Sequence, residues 1–190
     1  MNLRVVVVGI AGVGKTTVVD KLRSTLTGSE LVTFGTVMLE EGKRLRWIKH
    51  RDELRKLSVA KQRRLQTMAA TKISRARGKI LFIDTHLFIR TKEGFWPGLP
   101  FDVVRALKPT HLVLVEASPD EILVRRGSDR TRYRDDVTHE ELDTELSLAR
   151  SFLTVSSTLT GAPMLIAVNS QGKSDEVAAN IAKVLTEASA

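Results

Sequence analysis

Residues 9–16 read Gly-Ile-Ala-Gly-Val-Gly-Lys-Thr, directly after the apolar run Leu3 to Val8 and directly before the helix-compatible stretch Thr17 to Leu26. This is the G-x-x-x-x-G-K-T pattern in a strand–loop–helix setting, where backbone N–H groups wrap around a polyphosphate. A side chain at Gly9, Gly12 or Gly14 would hold those N–H groups away, and the following helix adds the positive end of its dipole. Lys15 is placed to reach the β- and γ-phosphates, and Thr16 offers a hydroxyl to Mg²⁺. Ala11, Val13 and Thr17 complete the stretch assigned to the nucleotide. The pattern predicts a protein that binds a nucleoside triphosphate.

The same apolar-run signal recurs outward from this loop. Leu3–Val8, Leu31–Phe34, Ile80–Ile83, His111–Val115 and Met164–Val168 are short and rich in Val, Ile and Leu, as buried parallel strands are. Helix-length connections separate them. The alternation predicts a three-layer α/β fold, a five-stranded parallel sheet with helices on both faces and ligands at the carboxyl ends of the strands. At 190 residues the chain is one domain with small inserted flaps. Two charge-rich stretches, Gly42 to Arg64 and Arg125 to Asp136, are expected to be those flaps.

Composition narrows the chemistry. With no cysteine, disulfides, thiolate metal sites and cysteine nucleophiles are excluded, and an intracellular location is compatible. No apolar run approaches 18 residues, so no membrane span is expected and the protein should be soluble and cytoplasmic. The net charge of +8 suits anionic ligands, either nucleotides or nucleic acid.

Further residues carry candidate roles. Asp84 stands at the tip of the third strand, where a carboxylate can hold Mg²⁺ through its water shell beside Thr16; the other reading is a cap after the strand. His86 either meets a substrate or is a satisfied loop histidine. Arg125, Arg126, Arg130, Arg132 and Arg134 are dense enough for a lid that clamps phosphates, since arginine forms forked contacts to phosphate oxygens. Arg125 and Arg126 could instead lie on the helix entering that lid. Phe34 to Met38, with Gly35 and Thr36, reads as a segment at a strand's end that can lie against a base, or as the start of a helix. Arg51 and Arg55, at i and i+4, can face one anion or form a solvated basic face. Gly94 to Pro100 reads as a stiff aromatic and glycine loop that shapes a base pocket or covers the core. At Asn169 to Gly172 an adenine could rest on backbone, or the segment is a plain turn.

Taken together, these residues resemble one family, the archaeal-type adenylate kinases. The resemblance runs through nearly the whole chain: the phosphate loop, Phe34-Gly35-Thr36-Val37-Met38, Arg51-Asp52-x-x-Arg55-Lys56-Leu57, Ile83-Asp84-Thr85-His86, Gly98-Leu99-Pro100, Glu116 with Asp120-Glu121-Ile122-Leu123-x-Arg125-Arg126, and Asp129-x-Thr131-Arg132-x-Arg134-Asp135. It implies reversible Mg-dependent phosphoryl transfer from ATP to AMP, giving two ADP, and a role in adenine nucleotide balance. It implies a core of residues 1–35, 78–124 and 137–190, an AMP-binding flap at about 36–77 and a short lid at about 125–136. Lys15, Arg126, Arg132 and Arg134 would be catalytic, and Asn169 would line the donor site. Gly35, Thr36, Met38, Arg51, Arg55, His86, Gly98, Leu99 and Pro100 would bind AMP, while Thr16 and Asp84 would serve the metal. A homotrimer is also implied. Bacterial and eukaryotic members place an arginine after the Gly-x-Pro loop; here Phe101 stands there, so Arg51 or Arg55 has to supply that charge.

An AMP phosphate oxygen is already anionic, so its attack needs no general base, and positioning by Lys15, Mg²⁺ and the arginines suffices. A kinase for CMP, UMP or a sugar is the second reading, with His86 or Asp84 as base for a hydroxyl. A nucleotide-gated RNA-binding protein is the third. It is disfavoured by one Tyr, two Trp and no RNA-module signature, so nucleic acid is not an expected partner.

Overall fold

The computed structural model describes residues 2–91, 93–128 and 137–187. Along the chain run β1 (Leu3–Val8), α1 (Lys15–Thr25), β2 (Ser29–Thr33), α2 (Phe34–Arg44), a 3-10 helix (Arg51–Lys56), α3 (Val59–Ser74) and β3 (Ile80–Asp84). Then follow β4 (Phe88–Thr91), β5 (Gly94–Pro97), α4 (Phe101–Leu107), β6 (His111–Glu116), α5 (Pro119–Ser128), α6 (His139–Thr160), β7 (Met164–Val168) and α7 (Ser174–Glu187). Five strands form one parallel sheet in the order β2-β3-β1-β6-β7.

β1 is the centre of that sheet. Val5 to Val8 have no exposed surface, which is why the strand reads as an unbroken apolar run rather than an alternating one. Helix α1 packs on α7, and α3, α4 and α6 pack in succession, so the helices fall into two groups about the sheet. The chain builds first on the β3 side of β1 and then crosses to β6. This reversal opens a crevice at the carboxyl ends of β1, β3 and β6, where ligands of open α/β sheets bind.

Two local expectations are corrected. The second strand is Ser29–Thr33 rather than Leu31–Phe34, and Phe34 to Met38 open α2, the helix start that is the alternative reading of that segment. Phe34, Val37, Met38 and Glu41 are buried at the i, i+3, i+4, i+7 spacing of one helix face, and that period overrides the apolar run before it. Gly94 to Pro97 is the second strand of an antiparallel hairpin with β4, not a stiff loop. Phe95 meets Phe88 edge-on at 5.1 Å between centroids, a cross-strand pairing a single-stretch reading does not reveal.

Arg4 is an unanticipated tie between sheet and helices. From the otherwise apolar β1 its guanidinium donates to the carbonyls of Leu107 (2.7 Å), Ile73 (3.0 Å) and Ala76 (3.4 Å), at the C-terminal ends of α4 and α3. These are carbonyls that helix termini leave without intrahelical partners, and a cation there also complements the helix dipoles. Arg4→Leu should therefore lower unfolding stability by about 2 kcal/mol while leaving the native far-ultraviolet dichroism unchanged. Urea unfolding at neutral pH measures it, and an unchanged midpoint and slope would remove Arg4 from this role.

Candidate active site

The loop after β1 can direct its N–H groups inward only if its carbonyls find donors elsewhere. The carbonyl of Ala11 accepts from Arg126 Nε at 2.9 Å, and that of Val13 from Asn169 Nδ2 at 2.8 Å and Arg125 Nη1 at 3.3 Å. Gly14 O accepts from Val18 N at 3.1 Å, and His86 Nδ1 lies 3.4 Å from Gly9 O. Gly12 and Gly14 take φ of 95° and 79°, left-handed values that glycine adopts without strain. A Cβ on Gly14 would also stand 2.4 Å from Asn169 Nδ2.

Lys15 begins α1 and is only 8% exposed, with Nζ paired to the Asp84 carboxylate. Register explains the meeting: Asp84 is the last residue of β3 and sits opposite Val7, so its side chain emerges at the same crevice. Burial pulls the Lys15 ammonium down to about 8, and the neighbouring carboxylate favours its charged form. Thr16 and Thr17 are exposed in the first turn of α1. Among the described residues no group of three or more His, Cys, Asp or Glu could hold a metal. A hydroxyl and one carboxylate fit a Mg²⁺ that keeps its waters and shares substrate phosphates.

The residues expected to bind an acceptor come from separate elements. Gly35 lies in the first turn of α2 with the Arg51 guanidinium resting on it, so that a Cβ there would stand 2.9 Å from Arg51 Nη2. A Cβ on Gly98 would lie 2.1 Å from His86 O, which makes glycine necessary for the hairpin to close on the segment after β3. Pro100 caps α4. His86 is an exposed residue whose Nδ1 turns in toward Gly9 O. Desolvation of the ring, then the positive charge of Lys15, with smaller contributions from Arg51 and Arg55, pushes its imidazole down to about 4 against an upward pull from Gly9 O. One imidazole thus feels the phosphate-loop lysine together with Arg51 and Arg55.

Not every assigned residue faces the crevice freely. Met38 and Leu99 belong to the buried core, at 9% and 6% exposure, so their part is to shape the walls. Thr36 is exposed on α2. Arg126, assigned to catalysis, lies on α5 and is engaged by Ala11 O and by Glu145 at 3.3 Å. Arg125 shares that helix and donates to Asn169 O at 2.9 Å. Both arginines therefore stand on α5, the second of the two readings given for them. Arg130, Arg132 and Arg134 lie outside the described residues. Asn169 donates its side-chain amide to the Val13 carbonyl of the phosphate loop, a contact the sequence reading did not include.

Sequence reasoning missed the carboxylates behind this site. Glu145 is 6% exposed and approaches Arg126 and, at 3.8 Å, Arg90. Glu116, at the end of β6, takes both forks of Arg150 at 2.8 and 2.7 Å. The signal for Glu145 was available: it is the lone acid on the α6 face of Leu142, Leu146, Ala149 and Leu153.

Residues 8–143 match the family described as "AAA domain". The chain is 40% identical over 183 residues to an adenylate kinase of Thermoplasma acidophilum, covering 96% of this chain and 98% of that protein. It is 40% identical over 189 residues to one of Methanocaldococcus jannaschii, covering 97% and 98%, and 39% identical over 188 residues to one of Pyrococcus horikoshii, covering 97% and 96%. Among solved structures, a shikimate kinase of Bacteroides thetaiotaomicron aligns at TM-score 0.65 with 13% identity, covering 97% of this chain and 98% of that one. One of Acinetobacter baumannii in complex with shikimate aligns at 0.60 with 19% identity, covering 98% and 94%. At these identities the two kinases share the fold alone.

The depressed imidazole has a measurable sign. An unfolded chain protonates His86 near its ordinary value of 6.5 and the folded one only near 4, so falling pH favours the unfolded state across that interval. His86 should give the NMR shifts of a neutral ring from pH 7 down to about 5. A phosphate bound beside Arg51 and Arg55 should raise its titration midpoint. A free-protein midpoint near 6.5 would contradict the placement of His86 among these cations.

Proposed function

We propose that this chain, which belongs to the archaeal adenylate kinases by about 40% identity over nearly its whole length, transfers the γ-phosphoryl group of ATP reversibly to AMP. The observation that carries the reading is the buried Lys15 of the phosphate loop paired with Asp84 at the strand ends, with the Arg51 guanidinium seated on Gly35 at the start of α2. Two anionic phosphates brought into that field have their mutual repulsion offset and their reacting atoms held in proximity.

In this reading the loop N–H groups and Lys15 hold the donor phosphates. Arg51 and Arg55 hold the acceptor phosphate, taking the place of the arginine that Phe101 does not supply. Phe101 is 47% exposed and its ring lies under Arg105, 5.8 Å from the centroid. Thr16 and Asp84 would hold Mg²⁺, which when bound offsets charge on the β- and γ-phosphates. Lys15 then exchanges its contact with Asp84 for one with phosphate oxygen, and its protonated form is the one required. The acceptor oxygen is already ionised, so no side chain has to remove a proton, and a neutral His86 suits that chemistry. Arg132 and Arg134 would complete the charge neutralisation from the lid segment at about 125–136, and residues about 36–77 would form the acceptor flap.

A homotrimer is the proposed assembly. The edge strand β7 exposes Met164, Ile166 and Val168 at 45, 42 and 57%, alternate residues and hence one face. Val155 and Leu159 of α6 add 55 and 47% exposed apolar side chains. An apolar edge of this kind is a pairing hazard unless another chain covers it. Among the described residues no helix is long and apolar enough to cross a membrane.

Two experiments test these statements. With ATP as donor, AMP should exceed CMP, UMP and GMP in kcat/KM by at least about tenfold, because a pocket built for one base leaves polar groups unpaired with another. Comparable rates with CMP or UMP would reassign the acceptor. Separately, Ile166→Lys should reduce the mass seen by light scattering from three chains to one. A monomeric wild type, or an assembly indifferent to this charge, would remove β7 as the interface.

A further inference from the structure

Residues 43–64 hold ten Lys and Arg against two Asp and Glu, and the rest of the chain holds twenty of each, so the whole net charge of +8 resides in this one segment. All ten cations are exposed, and among the described residues only Arg44 of the ten has a carboxylate partner, Glu41. Solvated basic helix faces ordinarily interleave acids.

A part-exposed aromatic ring stands inside this field. Lys61 Nζ lies 5.3 Å and the Arg64 guanidinium carbon 5.5 Å from the centroid of Trp47, which joins the turn after α2 to the start of α3. The turn is rigid. Trp47 N donates to Gly42 O and Arg46 N to Lys43 O, the paired bonds of a Schellman helix end, and buried Ile48 pins it against Gly42. Its left-handed position, usually glycine, is taken by Arg46 at φ 58°. A side chain there costs conformational energy that glycine would avoid. A cation thus stands in this turn where backbone chemistry favours having no side chain, as Lys108 does at φ 50° after α4.

We propose that Trp47, Arg46, Lys61 and Arg64 form a binding site for single-stranded nucleic acid, distinct from the nucleotide crevice. Trp47 packs partly on the core and carries Lys61 and Arg64 over its ring, so a base stacks there by displacing these carboxylate-free cations toward the adjoining phosphates. Such sites pair an aromatic platform with unpaired positive charge and tolerate any base. None of the four residues takes part in the contacts that bring Gly35, Arg51, Arg55 and His86 together.

The test is fluorescence anisotropy of a short 3′-labelled oligouridylate with a free 5′-hydroxyl, titrated with the full chain across salt concentrations, beside the matching oligothymidylate. The wild type should bind, with affinity falling steeply as salt rises. Lys61→Gln with Arg64→Gln should flatten the slope of log K against log salt by about 1.4, the share of two phosphate contacts on a single strand. Trp47→Ala should weaken binding about tenfold, and Trp47→Phe, which keeps a ring and the packing, much less. Arg46→Gly is the sharpest variant: binding should fall at least threefold while the melting temperature holds or rises. Each variant should keep the wild-type far-ultraviolet dichroism, so that lost binding is not lost folding. Tighter binding of oligouridylate identifies RNA as the ligand, and equal affinity identifies single strands of either sugar; both support the site. Absence of binding at low salt, displacement of the oligonucleotide by a saturating dinucleoside polyphosphate, or equal binding by Trp47→Ala and by duplex would each overturn it.

Discussion

The constraint on which the site depends is the orientation of the peptide groups of residues 9–14. N–H groups turned toward a phosphate leave carbonyls turned into the protein, and a buried carbonyl without a donor costs free energy comparable to a lost hydrogen bond. The rest of the chain supplies those donors: Arg125 and Arg126 from α5, Asn169 from the end of β7, His86 from the end of β3 and Val18 from α1. Sheet order makes this possible, because β3 and β6 flank β1 and β7 follows β6. The phosphate loop is thus held by four separate elements, although its motif is local.

Behind those donors stands a second set of acceptors. Glu121 accepts from Gln171 N and lies 3.6 Å from Arg125, and Asn169 N donates to Glu116 O at 2.7 Å. The turn after β7 is thereby fixed to both α5 and β6. Glu145 performs a similar service for Arg126. Each cation near the loop is therefore oriented by a carboxylate or a carbonyl, which limits the rearrangement left for the moment a nucleotide enters.

The sheet was legible in the sequence because buried parallel strands are continuous apolar runs, and Met164–Val168 and Leu3–Val8 have the expected bounds. Gly9 to Thr16 was legible because its spacing is set by phosphate geometry. What escaped is whatever depends on partners distant in the chain. The β4–β5 hairpin needs Phe88 to meet Phe95, and Asn169 reveals its amide only against Val13, 156 positions earlier. Arg51 was seen as one of an anion-facing pair, but its seat on Gly35 required knowing that α2 and the 3-10 helix come together. Phe34 shows the competing signal at work, an apolar residue that fits the end of one strand pattern and the start of a helical one.

The central position of β1 bears on how the protein comes into being at the ribosome. The first strand made is flanked by strands whose paired residues begin at Ile80 and His111, and its loop is finished only by Asn169. Local contacts cannot close such a topology early, so formation of the sheet waits for most of the chain. A nascent chain halted before residue 169 carries the complete glycine motif yet lacks the amide that steadies it. Until then the Val13 carbonyl lacks the donor that the end of β7 supplies, and the apolar strands made earlier lack their neighbours in the sheet.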